Sequence, residues 1–135
     1  MPLLVDTGVL YALADADDDW HQPVREYLTR APDVLLVPVT VLPEVTYLLH
    51  KRLGSGAERA FVESLASGEL TVEPLKPRDF TRCGELLAEY GAIGFVDASV
   101  VAIAERLGLK TLATTDRRHF SRIRPKHVES FELVP

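Results

Sequence analysis

Pro2-Leu3-Leu4-Val5-Asp6-Thr7-Gly8-Val9-Leu10-Tyr11-Ala12-Leu13-Ala14 begins as an unbroken apolar run, stops at an acid, and continues with Val9, Leu10 and Leu13 at helical spacing. An apolar run of strand length predicts a strand buried on both faces, and the change of period after Asp6 predicts a tight turn into a helix. The same logic extends outward along the chain. A second helix is expected from an Asp19 N-cap through Val24, Tyr27 and Leu28, and Val34-Leu35-Leu36-Val37 predicts a second strand. Thr40 is expected to cap a third helix carrying Val41, Val45, Leu48, Leu49 and Leu53 on one stripe, with Pro43 in its first turn and Gly54 at its end.

Ser55 to Ala66 predicts a fourth helix and Leu70 to Leu75 a short strand. Pro77 to Tyr90 and Val96 to Leu107 predict two amphipathic helices, Thr111 to Thr115 a strand ending at Asp116, and Val128 to Val134 a last edge strand. Strands alternating with helices imply an α/β fold with a mostly parallel sheet covered on both faces. With 135 residues, no repeat and no linker, a single domain over 1–135 is expected.

Composition narrows the function classes. Hydrophobic residues at 47% and charged residues at 26% exclude a disordered or collagen-like chain. No stretch of about 18 apolar residues occurs, so no membrane span is expected, and the short apolar start interrupted at Asp6 is too brief for a secretory signal. Cys83 is the one cysteine, which removes an intrachain disulfide and a thiolate zinc site and suits the cytoplasm. The net charge of −5 is wrong for nonspecific polyanion binding, yet residues 110–127 carry +5 against −10 for the remainder. A local phosphate contact is therefore possible where the chain as a whole repels phosphate.

Ligands of open α/β sheets collect beyond the carboxyl ends of the strands. Asp6 and Asp116 each end a predicted strand there, Glu44 lies in the first turns of the third helix facing inward or along its edge, and Asp97 starts the sixth. Singly, each acid fits a cap or a turn. Together at one sheet edge they repel one another unless cations neutralise them, and hard oxygen donors select Mg²⁺ or Mn²⁺ over zinc. The four histidines show no zinc-type pairing, and no Gly-x-Ser-x-Gly elbow occurs. Carboxylate-held Mg²⁺ suits phosphodiester hydrolysis, and Arg117 and Arg118 directly after Asp116 would meet the phosphates.

Leu4-Val5-Asp6-Thr7, Glu44, Phe95-Val96-Asp97-Ala98 and Leu112-Ala-Thr114-Thr115-Asp116-Arg117-Arg118-His119-Phe120 resemble PIN-domain ribonucleases, and in size and layout the VapC-like toxins of bacterial toxin–antitoxin pairs. The resemblance implies a three-layer PIN-like α/β/α fold and an endoribonuclease whose Asp6, Glu44, Asp97 and Asp116 bind Mg²⁺ or Mn²⁺. It also implies that Thr7 and Thr114 hold a water or orient a carboxylate, that the chain forms a homodimer, and that an antitoxin protein is its partner. Two other readings compete with the nuclease: a PIN-like module that binds RNA or protein without cutting, and a receiver-like Mg²⁺-binding domain, which lacks its lysine after a late strand. Asp15, Asp17, Asp18 and Asp19 read as a solvated loop with a helix cap, and Asp79 as a helix cap. Trp20, Tyr11, Tyr47 and Cys83 read as packing residues.

Overall fold

The computed structural model describes residues 2–30 and 34–135. Five parallel strands form one sheet: β1 (Leu3–Val5), β2 (Leu35–Pro38), β3 (Thr71–Glu73), β4 (Thr111–Ala113) and β5 (Glu132–Val134), in the order β3-β2-β1-β4-β5. Seven helices connect them: α1 (Thr7–Ala14), α2 (His21–Arg30), α3 (Leu42–Leu53), α4 (Ser55–Ser67), α5 (Pro77–Glu89), α6 (Phe95–Leu107) and the short α7 (Arg117–Phe120). The chain steps outward from β1 to β2 to β3 and then returns past β1 to β4. Right-handed crossovers in opposite directions place α1 to α4 on one face and α5 and α6 on the other, which is the expected three-layer α/β/α arrangement.

The central strands are the most apolar because both their faces are covered: Leu4, Val5, Val37, Leu112 and Ala113 are fully buried. α6 lies deepest of the helices, burying every residue from Ala98 to Ala104. The α5–α6 layer is tied by ions as well as packing. Arg106 donates to buried Asp79 and to Glu73, and Arg82 makes a bidentate pair with Glu105 at 2.7 and 3.0 Å. Asp79 also accepts from the Lys76 backbone N–H at 2.8 Å, so it caps α5 as the sequence suggested. Burial pushes the Cys83 thiol up to about 11, which fits an inert packing residue.

Several local expectations shift. Thr40 does not cap α3; it lies in a 3₁₀ turn, Val39–Val41, and its hydroxyl bonds Ser99 on α6 at 2.6 Å. Ser99 already donates to the Val96 carbonyl, so Thr40 supplies the proton for this tie between the two faces. The acidic loop is organised by Asp18 rather than Asp19, since Asp18 Oδ1 accepts from Trp20 N–H at 2.9 Å before α2 begins at His21. β4 ends at Ala113, two residues before its expected end. Tyr47 is 61% exposed and Leu53 also faces outward, so these two lie outside the core expected of them. Among the described residues no helix is long and apolar enough to cross a membrane.

Candidate active site

The strand order reverses direction between β1 and β4, and the crevice beyond their carboxyl ends is where such sheets hold ligands. Asp6 follows β1 directly and is 8% exposed. Its Oδ1 accepts from Val9 N–H at 3.1 Å, capping α1, while Oδ2 accepts from the Thr114 hydroxyl. Thr114 Oγ1 in turn accepts from Asp116 N–H at 2.9 Å, so one buried hydroxyl locks the acid after β1 to the loop after β4. Gly8 permits that loop to close in: a β-carbon there would collide with Thr115 Oγ1.

Asp116 caps α7 by accepting from His119 N–H at 3.1 Å. Its Oδ2 lies 2.8 Å from His119 Nδ1, and Asp97 Oδ2 lies 3.6 Å from the same nitrogen. Both neighbours are acceptors, so Nδ1 carries the proton and the ring turns its donor edge to the two carboxylates. Ligand atoms of Asp97, Asp116 and His119 all fall within 4.8 Å of one another, and with the His119 proton turned toward them the two carboxylates are the pair that could hold a metal ion. His119 is the residue that sequence reasoning missed. Its signal was Asp116-x-x-His119, which places two side chains on one side of a helical turn.

Glu44 is exposed and stands on the rim, the edge setting rather than the inward one of the two expected for it. It nevertheless points to the crevice: its Oε1 accepts from the Thr7 hydroxyl at 2.8 Å. The four acids therefore occupy three tiers. Asp97 and Asp116 form the close pair, Asp6 is buried behind them, and Glu44 stands at the edge held by Thr7.

Electrostatics reflects this crowding. Burial raises the Asp6 carboxyl to about 6 against the lowering effect of the Thr114 and Val9 hydrogen bonds, with Asp116 and Asp97 adding repulsion. Asp97 is also raised above the ordinary carboxylate range, first by burial, then by Asp116, and to a smaller extent by Glu44. No lysine or arginine pairs with any of the four acids among the described residues. A concentration of carboxylate oxygens left without cations fits a hard divalent ion. Arg117 and Arg118 are exposed beside it, with the Arg117 guanidinium 5.7 Å from the Trp20 ring centroid.

The PIN-domain family model matches residues 3–125. This chain belongs to the PIN-domain family. Within it, the VapC ribonucleases are its relatives: the PIN domain here is 33% identical to ribonuclease VapC26 of Mycobacterium tuberculosis, over 98% of this chain and all of that one. Among solved structures it superposes on the sarcin–ricin-loop-cleaving toxin VapC20 of Mycobacterium tuberculosis with a TM-score of 0.76 and 27% identity, covering 82% of this chain and 86% of that one. The DNA-bound VapBC of Salmonella typhimurium shares the fold, with a TM-score of 0.72 and 21% identity over 98% of this PIN domain and 96% of that chain.

Proposed function

We propose that residues 1–135 form a single PIN nuclease domain acting as a VapC-type endoribonuclease, the toxin of a toxin–antitoxin pair. The observation that carries this reading is the convergence of Asp97, Asp116 and His119 within 4.8 Å at the switch point, backed by buried Asp6 and rimmed by Glu44. Asp97 and Asp116 hold Mg²⁺ or Mn²⁺, and Asp6 adds charge from behind. When bound, the ion lowers the pKa of water and stabilises charge developing on a phosphodiester. His119 orients Asp116, Thr114 fixes Asp6 relative to Asp116, and Thr7 fixes Glu44 as acceptor of the attacking water's proton. Arg117 and Arg118 contact substrate phosphates. Family membership supports RNA as substrate, a cognate antitoxin protein and a homodimer, all in the cytoplasm, and the likeness to VapC20 makes a structured RNA loop the first substrate to try.

The test is cleavage of structured RNA by purified protein in Mn²⁺ or Mg²⁺ and in EDTA. Cleavage confined to the metal lanes is expected. Cleavage that persists in EDTA would remove the metal from the mechanism, and tight RNA binding without cleavage in any lane would favour the binding-only module. The doubly substituted Arg117→Gln, Arg118→Gln protein should bind RNA more weakly, with its salt slope reduced by about 0.7 for each phosphate no longer neutralised. An unaltered slope, measured by titration at several salt concentrations, would place the phosphates elsewhere.

A further inference from the structure

Trp20 is the one tryptophan of the chain and sits in the turn between α1 and α2, far in sequence from the site. Its backbone is pinned at both ends, donating to Asp18 and accepting from Val24 N–H at 3.0 Å, and its ring packs partly against the core. The Arg117 guanidinium rests over that ring. Asp116 of the acidic cluster directly precedes Arg117, yet among the described residues Arg117 makes no ion pair. The partly buried arginines of α5 and α6 behave oppositely: Arg82 and Arg106 are each engaged by acids.

We propose that Trp20 is a positioning residue for the RNA substrate, a shelf that holds the Arg117 guanidinium beside the acidic crevice and off its carboxylates. The inference rests on the ribonuclease reading. A guanidinium stacked on an aromatic face keeps its charge and its edge N–H donors free. It can then take a phosphate of the RNA bound in the crevice. Trp20 thus serves the binding of the substrate without touching either reacting atom.

The test is a double-substitution cycle of W20A, R117Q and W20A/R117Q, with W20F beside it. RNA binding is read by anisotropy of a fluorescein-labelled RNA hairpin in EDTA, where the strand stays intact. W20A should weaken binding about 5- to 10-fold and lower the salt slope by about 0.7, the value for one phosphate. W20F, which keeps an aromatic face, should bind within about 3-fold of the parent. The double variant should bind no more weakly than R117Q alone, because Trp20 acts through Arg117. In cleavage assays W20A should raise KM with kcat within about 3-fold. Additive losses in the cycle, or a W20F protein as weak as W20A, would overturn the proposal.

Should W20A fail to fold, the parent protein supplies the second readout. Saturating hairpin should change the emission of Trp20, and R117Q should reduce that change by more than half. Emission that is unaffected at saturation would also overturn the proposal. Parent protein that binds no RNA in any condition would sink the ribonuclease reading and the shelf with it, whereas RNA binding indifferent to both Trp20 and Arg117 sinks the shelf alone.

Discussion

Asp97→Asn should abolish RNA cleavage, a loss of at least about 10³-fold in kcat, while raising the melting temperature in EDTA by on the order of 3 °C. The substitution preserves shape and removes one charge. Burial and repulsion from Asp116 and Glu44 disfavour the ionised Asp97, so its neutral replacement relieves the metal-free fold. Only Asp97's weaker interaction with His119 is given up, since that ring lies nearer to Asp116. Opposite signs for activity and stability are the signature of a residue retained for chemistry at a cost to the fold. Parallel cleavage assays and thermal melts read both quantities, and a variant that cuts RNA at the parent rate would exclude Asp97 from the site.

Asp6 governs the second large effect, a pH dependence of stability in chelator. Its carboxyl is raised from 3.8 to about 6 in the folded chain. Between those values the folded protein holds a proton that the unfolded chain has released, so stability due to this group falls as pH rises. The difference amounts to about 3 kcal/mol, fully lost above the folded value. Asp6→Asn retains an acceptor for Val9 N–H and a partner for Thr114 but has no charge to bury. Denaturant unfolding of parent and variant from pH 4 to pH 7 should therefore show the two curves diverging by about that amount, with the variant the more stable at pH 7. Mg²⁺ or Mn²⁺ at neutral pH should recover more stability in the parent than in the variant, which keeps Asp97 and Asp116 but not the charge behind them. Superimposable pH profiles would mean that Asp6 ionises without penalty and is not the buried charge described here.

How far the site could be read from the sequence follows from how local each signal is. Asp6, Asp97 and Asp116 sit where the period of the chain changes, at a strand end or a helix start, so one residue's neighbours were enough to locate them. Thr40 was expected to cap α3, and a 3₁₀ turn in which its hydroxyl bonds Ser99 sets the start of that helix at Leu42 instead. No local pattern announces a bond spanning 59 residues. His119 and the contact of Trp20 with Arg117 were not legible for a related reason. A lone histidine and a lone tryptophan are chemically ambiguous until their neighbours in space are known, and these are two carboxylates for one and a guanidinium for the other.

By itself the sequence determined the alternation of strands and helices, the parallel α/β class and the chemistry of a carboxylate-rich site, because hydrophobic period and residue type act over a few positions and survive in any context. The tertiary structure decided the distances. The order β3-β2-β1-β4-β5 brings Asp6 and Thr114 together from 108 residues apart, puts His119 against Asp97, and lays Arg117 on Trp20. Those arrangements come from packing two helical layers on one sheet. Burial energy depends on the whole assembly and is not written in any single segment.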